Sequence, residues 1–253
     1  MFKDHPTFTH PSDESEKVWR YMDLPKLVSI LDKQSLFFTR GDLFSDTFEG
    51  SYPRLNVLGR SQIPPGIAAQ DIPKFQQAMA SLEKVNKLWP KHIGISCWHL
   101  NNHESAAMWQ LYLQSNEGVA IQSTYKKLKD SFSVAAEDIS LGVINYIDYE
   151  TDYFDPGNML NPFVHKRKSF EHEKEVRAII MKWPSSTGSA VDVCKITIQG
   201  GMAIPVGLEL LIENIYISPA SPQWFVDVVT SIVHKFGYSF PIRQSILNNS
   251  PIF

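Results

Sequence analysis

Short apolar runs rich in β-branched residues recur along this chain of 253 residues, and the segments between them differ widely in length and character. Runs of this kind are typical of buried or half-buried strands. No regular strand-helix-strand alternation, glycine-rich phosphate loop or internal repeat connects them, which argues against a doubly wound parallel sheet. The sequence therefore predicts an α+β fold with a mixed or largely antiparallel sheet and flanking helices. The runs lie at residues 18–21, 36–40, 92–98, 117–123, 142–149, 175–183, 191–198 and 210–218.

Helical patterns occupy several of the intervening segments. Asp23 is a suitable N-cap for a helix with Pro25 in its first turn. Between residues 71 and 89 apolar side chains recur every three or four positions, which predicts an amphipathic helix with one face in the core. The last helix is marked by Ser221 at its N-cap and Gly237 at its end. Weaker helical patterns begin near residue 101 and cover residues 158–172.

The chain length favours a single large domain. Residues 1–17 are polar and proline-containing, so we expect a flexible N-terminal arm followed by one α+β domain over residues 18–253. Residues 41–66 are rich in Gly, Pro and Asp and predict a long loop, a feature that is often functional. The domain is expected to carry a loop-helix insertion at about residues 51–91.

The composition indicates a soluble protein. Hydrophobic residues make up 43% of the chain, and no apolar run approaches the roughly 20 residues that span a bilayer. Cys97 and Cys194 are far apart and lack metal-knuckle spacing, so we expect reduced thiols in a cytoplasmic protein. The net charge of −3 argues against an extended duplex-binding surface but is compatible with a local basic pocket.

The stretch "FEHEKEVRAII", residues 170–180, places glutamates directly against a predicted buried strand. Glu173 and Glu175 stand two apart, so both can project from one face of the sheet. Neighbouring carboxylates repel, which predicts that one titrates higher and acts as acid or base while the other stays ionised. The alternative is a solvated helix end whose glutamates balance the nearby cations Lys166, Arg167, Lys168, Lys174 and Arg177.

Further polar residues accompany the first two predicted strands. Arg20 stands between two aromatic residues and, if buried, requires a carboxylate or a bound phosphate as partner. A second polar group follows the strand at residues 36–40, where functional loops are often held by a scaffold. The alternative for that group is hydrogen bonding within the loop. Its members are Thr39, Arg40, Asp42, Asp46 and Glu49.

The stretch "SCWHLNNHESAAMWQLY" clusters Cys97, His99 and His103, but no fourth residue is spaced to complete a metal site. Cys97 as a nucleophile beside a histidine is a second interpretation that one sequence leaves open. The aromatic residues of this stretch are expected to form core or pocket wall rather than a platform for bases: Trp98, Trp109 and Tyr112.

Several blocks of the chain resemble a bacterial domain-of-unknown-function family, number 2971. The opening "VWRYMDLPKLVSILDKQSLFFTRGDLFSDTFEG" is similar to the start of that family, with an aromatic-Arg-Tyr strand, a helix, and a strand leading to Asp and Glu. The similarity continues through residue 247 in "SCWH", "ESAAMWQLY", "GVAIQST", "INYIDY", "KRKSFEHEKEVRAII", "IENIYISP" and "RQSIL". This resemblance implies no activity by itself, because the family is largely uncharacterised.

The same order of features resembles, more distantly, the ADP-ribosyltransferase fold. That resemblance implies NAD as cofactor and no metal: Arg20 would hold the pyrophosphate or ribose, Thr39 or Ser96 would line the nicotinamide pocket, and Glu175 would stabilise an oxocarbenium-like transition state. Glu173 would be the preceding member of the E-x-E pair. The full set expected to bind the cofactor is Arg20, Tyr21, Thr39, Arg40, Ser96 and Trp98, and the set expected to contact substrate is Asp46, Glu49, Trp109, Lys166 and Arg167.

These observations predict an NAD-using ADP-ribosyltransferase or NAD glycohydrolase that acts as a toxin or phage-defence effector on a nucleic-acid or protein acceptor. Arg20 and Glu175 should then face one cleft, although a structural pair between them would also explain both residues. A second hypothesis is a non-catalytic nucleotide or nucleic-acid sensor. A third is a metal-dependent phosphodiesterase or nuclease that uses Asp42, Asp46, Glu49 and the Glu173/Glu175 pair.

Overall fold

The computed structural model describes residues 1–113, 117–184, 186–187 and 190–252. Its strands are β1 Lys17–Asp23, β2 Ser35–Arg40, β3 Ile93–Leu100, β4 Gly118–Thr124, β5 Ile139–Val143, β6 Asn145–Ile147, β7 His165–Arg167, β8 Glu175–Met181, β9 Ser186–Thr187, β10 Ala190–Val191, β11 Gly201–Pro205, β12 Asn214–Ile217 and β13 Ile242–Gln244. Its helices are α1 Leu24–Lys33, α2 Arg54–Ser61, α3 Ile72–Leu88, α4 Ala106–Tyr112, α5 Tyr125–Ser131, α6 Asn161–Val164, α7 Leu208–Leu211 and α8 Gln223–Lys235. No helix in these ranges is long and apolar enough to cross a membrane.

The main sheet branches at β3. One edge of β3 pairs along its length with β8, which in turn pairs with β5. The other edge is shared: residues 94–95 pair with β2, and residues 99–100 pair with β1. The β1 branch continues through β4 and β12 to β13, and the β2 branch ends at β11. Every pairing in this sheet is antiparallel except that of β12 with β13, which confirms the predicted α+β fold with a largely antiparallel sheet and flanking helices.

Each face of the sheet has its own core. One face packs against α1, α5, α7 and α8 and buries residues such as Val18, Trp98 and Val176. The other face packs against the segment around α6 and buries Ile95 and Ile179 with Phe163. Because successive strand residues point to opposite faces, Arg20 and Ser96 belong to the first face, and Cys97, Glu175 and Arg177 belong to the second.

Local signals placed α1 correctly. The Asp23 side chain accepts a hydrogen bond from the Lys26 backbone N–H at 2.9 Å, and Pro25 lies in the first turn. Helix α8, later in the chain, begins at Gln223 with Pro222 as its N-cap. Gly237, just after this helix, has a φ of 85°. The left-handed conformation at Gly237 explains why the helix stops there.

The helix expected over residues 71–89 is confirmed as α3, but none of its residues is buried in the core, and Phe75 and Met79 line a cavity with α2 instead. Two other element predictions were wrong. Residues 158–172 form α6, the strand β7 and a short 3-10 segment instead of one helix. The strand expected at residues 191–198 ends at Val191, because the Asp192 side chain accepts from the Cys194 N–H and closes a turn.

The predicted loop at residues 41–66 contains α2, and the N-terminal segment lies along the domain. Phe2 and Thr9 form bridges with Ile139 and Val143 of β5, and Phe8 is buried. The first residues therefore cover an edge of the sheet.

Candidate functional site

A cavity of about 490 Å³ opens where the sheet branches between β1 and β2. Residues 96–98 of β3 lie between the two pairings on that edge. Helix α1 contributes Lys26, Ser29 and Lys33 to its wall, and α4 contributes Met108 and Tyr112. Cavities of about 300–1,000 Å³ commonly bind small organic ligands.

Arg20 is the arginine that lines this cavity. Its guanidinium donates to the Ser96 hydroxyl at 2.7 Å and to the Phe37 carbonyl at 3.2 Å, and it lies 5.7 Å from the centre of the Trp98 ring. No carboxylate among the described residues lies within ion-pair distance of Arg20. Burial lowers the pKa of Arg20, whose side chain is half-buried at the cavity wall. An arginine in this state is suited to an anionic ligand.

Glu173 and Glu175 line the same cavity as Arg20. Arg20 and Glu175 leave the sheet on opposite faces, but the branching of the sheet lets the cavity reach both side chains. They do not pair with each other in the described chain: Glu175 instead contacts Lys166 and Arg177. A ligand in the cavity can therefore meet a cation and a carboxylate together.

Glu175 is buried inside an ion-pair network. Its Oε1 accepts from Arg177 Nε at 2.8 Å, and its Oε2 accepts from Arg177 Nη2 at 3.1 Å and from Lys166 Nζ at 3.2 Å. Arg177 is fully buried, and it also donates to both carboxylate oxygens of Glu49 and to the Phe163 carbonyl. Burial alone raises the pKa of Glu175, but the charges of Arg177 and Lys166 outweigh that effect and lower it to about 2.

Mutual repulsion was expected to raise one pKa of the Glu173/Glu175 pair, and for Glu175 this expectation was wrong. The main cause is Arg177, which holds both oxygens of Glu175, and Lys166 adds to it through an ammonium that contacts both carboxylates. Between the two glutamates, Lys174 has a φ of 40°, a left-handed conformation that is unusual for a residue with a side chain. This turn lets Glu173 at the end of the 3-10 segment and Glu175 at the start of β8 reach the same lysine.

The carboxylates of the loop after β2 are each neutralised by an arginine. Asp42 pairs with Arg40, Asp46 with Arg167, and Glu49 with Arg177. No group of three or more His, Cys, Asp or Glu side chains in the described residues is arranged to hold a metal ion. The acidic residues named for the metal-dependent hypothesis are therefore engaged with cations.

The structure brings together some of the predicted site residues and separates others. Tyr21, Thr39 and Trp98 line the cavity, and Ser96 reaches it through Arg20. The remaining predicted residues are engaged elsewhere. Arg40 donates to Asp42 and to backbone carbonyls, Trp109 packs edge-on against Tyr21 and donates to Glu104, Arg167 stacks near Phe48, and Asp46 and Glu49 face a second cavity.

The second cavity, of about 970 Å³, lies between the loop after β2 and the helices α2 and α3. Phe44 lines both cavities, so the loop separates them. Glu49 belongs to the wall of the second cavity, while its partner Arg177 also holds Glu175 at the first. Glu49 is therefore outside the lining of the Arg20 cavity, and its contact with substrate stays a prediction.

His99 and Cys97 line the cavity in roles that differ from those considered from the sequence. His99 is buried and donates from Nδ1 to the Glu173 carbonyl at 2.6 Å, so it anchors the backbone of Glu173 to β3. Burial lowers the pKa of His99. Burial also raises the pKa of the Cys97 thiol, and the Glu175 charge adds to that rise, so Cys97 is a poor nucleophile. The role of His99 depends on the pairing of its strand with the strand that begins at Glu175. Its position on a predicted strand was the only indication in the sequence.

Comparison with known proteins yields no matching family, but it finds similar solved structures. No family model matches the chain, so the resemblance to domain-of-unknown-function family 2971 stays a prediction. No curated protein matches either. Thermus sp. 2.9 DarT in complex with ADP-ribosylated ssDNA is 11% identical with a TM-score of 0.41, covering 94% of this chain and 96% of that chain.

The same DarT in complex with NAD⁺ gives 10% identity and a TM-score of 0.42, with coverage of 94% and 98%. Its complex with carba-NAD⁺ gives 11% and 0.39, with coverage of 92% and 96%. At these TM-scores the likenesses do not establish a shared fold or a shared activity.

Proposed function

We propose that this protein is an NAD-using enzyme, an ADP-ribosyltransferase or an NAD glycohydrolase, with its site in the cavity between β1 and β2. One observation carries the proposal: Arg20, which has no carboxylate partner among the described residues, lines one cavity with Glu173 and Glu175. A diphosphate matches the free donors of a guanidinium. A carboxylate matches ribose hydroxyls and the positive charge that develops when a glycosidic bond breaks.

The side-chain chemistry of each cavity residue gives it a separate role in binding NAD. Arg20, steadied by Ser96, would hold the diphosphate, and the Trp98 and Tyr21 rings would provide apolar wall. Glu173 and Glu175 would face the ribose that loses nicotinamide. When bound, NAD supplies a ribose carbon whose bond to nicotinamide breaks and whose new bond forms to water or an acceptor, with release of nicotinamide and of the acceptor's proton.

A nucleotide sensor is the second candidate, and the contacts of Glu175 favour it. Both oxygens of Glu175 already accept hydrogen bonds from Arg177 and Lys166, so this carboxylate can serve purely as a frame. In that case Arg20 would bind the anion, with Lys26 and Lys33 as further cations of the cavity wall. Arg40, Lys166 and Arg167 are paired with carboxylates. The sensor predicts nucleotide binding without turnover.

The direct test is NAD consumption by purified protein, alone and with DNA, RNA, protein or cell lysate as acceptor. Single-stranded DNA is a suitable first acceptor because ADP-ribosylated ssDNA is present in one of the DarT structures. Wild type should release nicotinamide, and Arg20→Met should lose that activity. Arg54→Met is the matched control, since Arg54 is an exposed arginine paired with Glu150 outside the cavity. Binding without nicotinamide release would favour the sensor, and neither binding nor release would refute both.

We extend the proposal to the cell, where this enzyme would act as a toxin or phage-defence effector. Depletion of NAD or modification of nucleic acid would stop growth of the host cell. Induced expression of wild type in bacteria should therefore arrest growth, while Arg20→Met, produced at an equal level, should not. Equal growth of the two cultures would contradict this role and leave the enzymatic proposal to the assay above.

A further inference from the structure

The two cavity glutamates differ in how many of their oxygens are occupied. Glu175 accepts three hydrogen bonds, from Lys166 and from two nitrogens of Arg177, and its side chain is 5% exposed. Glu173 accepts from Lys166 at Oε2, and no described residue donates to its Oε1. Its side chain is 18% exposed and lines the cavity. Of the two carboxylates, Glu173 is the one with an oxygen available to a ligand.

Lys166 connects the two glutamates. Its ammonium contacts Glu173 Oε2 and lies 3.2 Å from Glu175 Oε2. The lysine side chain is only 10% exposed, and its ammonium also lies 4.7 Å from the centre of the Phe170 ring. A lysine enclosed in this way loses most of its rotamers, so its position is set by the groups that it contacts. Glu175 is the more rigid of those groups, because Arg177 holds it at both oxygens.

The backbone around Glu173 is fixed independently of its side chain. The Glu173 carbonyl accepts from the His99 ring, the Lys174 carbonyl accepts from the Leu100 N–H at 2.8 Å, and Lys174 takes the left-handed conformation. The remaining freedom is the side-chain torsion of Glu173. Lys166 restricts that torsion by holding Oε2, which leaves Oε1 without a described donor in a side chain that lines the cavity.

We propose that Glu173 is the carboxylate that contacts the ligand, and that Glu175 is a positioning residue that acts on Glu173 through Lys166. This assignment rests on the proposed NAD-using function, because it names which glutamate performs the task given above to the pair. It reverses the order implied by the resemblance, in which Glu175 performs the chemistry.

The test is a double-mutant cycle on the turnover number for NAD, with Glu175→Gln, Lys166→Met and the double variant. If Glu175 acts through Lys166, each single change lowers kcat by about tenfold, and the double variant is no slower than Lys166→Met alone to within about twofold. The NAD dissociation constant should change little, since neither side chain contacts the ligand. Lys166→Arg, which can still bridge two carboxylates, should restore part of the activity.

Glu173→Gln should behave differently in the same assays. It should lower kcat by about 100-fold or more, the usual size for loss of a group that stabilises developing charge. The loss should persist in the Lys166→Met background, because Glu173 itself is the contacting group. Its melting temperature should stay close to that of wild type, since Lys166, the only described residue that donates to the Glu173 side chain, keeps Glu175 as a partner.

The outcomes separate this assignment from the proposed function. An active wild type in which Glu175→Gln is slower than Glu173→Gln, with effects of Glu175→Gln and Lys166→Met that multiply, overturns the assignment and leaves the function standing. A wild type that neither binds nor consumes NAD overturns the function and the assignment with it. If Glu175→Gln does not fold, Lys166→Met beside Lys166→Arg decides the case: equal activity of both with wild type refutes the bridge.

Discussion

Replacement of Glu49 by glutamine should destabilise the protein far more than replacement of Asp46, in the same loop, by asparagine. Glu49 contacts the fully buried Arg177 through both carboxylate oxygens, one of them at 2.7 Å. Both oxygens act as acceptors, which is the geometry of an ionised carboxylate. Removal of one partner from a buried pair costs about 3–5 kcal/mol, because the other charge stays buried.

The lower end of that range applies here. Arg177 keeps Glu175 and the Phe163 carbonyl as acceptors, and the glutamine oxygen can still accept one hydrogen bond. We therefore expect a loss of about 3 kcal/mol in the free energy of unfolding. For a chain of this length, that corresponds to a melting temperature lower by roughly 6–12 °C.

The assay is urea denaturation with a thermal melt, and Asp46→Asn is the matched control. Asp46 is a carboxylate of the same loop and also pairs with an arginine, but the Arg167 side chain is 34% exposed. The control should lose less, about 1 kcal/mol, because the partly exposed Arg167 can be hydrated when its partner is removed. Equal stability of Glu49→Gln and wild type, or equal losses in the two variants, would refute the claim that Arg177 depends on Glu49.

Three further predictions concern single groups. The folded pKa of Glu175 lies below its ordinary value of 4.5, at about 2, so Glu175 contributes about 3 kcal/mol of stability that is present above pH 4.5 and lost as the pH falls toward 2. Urea denaturation between pH 6 and 3 should show this loss in wild type, and a Glu175→Gln variant with the same acid dependence would contradict it. Lys174→Gly should melt at or above the wild-type temperature, because glycine adopts a φ of 40° without steric cost; a clear drop would mean that the lysine side chain is needed. Arg20→Met should melt within a few degrees of wild type, as no described carboxylate loses its partner; a loss comparable to that of Glu49→Gln would show a structural role.

The parts of the fold that depend on neighbouring residues could be predicted. The cap at Asp23 and the strand starting at Glu175 follow from local propensity and apolar pattern. The need for cations near the start of β8 could be recognised from the sequence, because glutamates stand directly before a buried strand. Lys166 and Arg177 supply them, and both lie within ten residues of Glu175.

The parts that depend on distant residues could not be predicted. The branching of the sheet at β3 follows from pairings with strands far away in sequence, and the cavity lined by Arg20 and Glu175 opens there. The partner of Arg177 on the other side is Glu49, which is separated from it by more than a hundred residues. Helix α3 shows the same limit: its periodicity predicts an apolar face but not whether that face meets the sheet or a cavity.

Calorimetric titration of NAD into wild type and Arg20→Met tests the central claim most directly, namely that the cavity between β1 and β2 binds a dinucleotide through Arg20. We expect saturable binding to wild type and an affinity lower by about 10–100-fold for Arg20→Met, the size of a lost charge-assisted hydrogen bond. Arg54→Met should bind as wild type does. No binding to a folded wild type, or equal binding by Arg20→Met, would contradict the account.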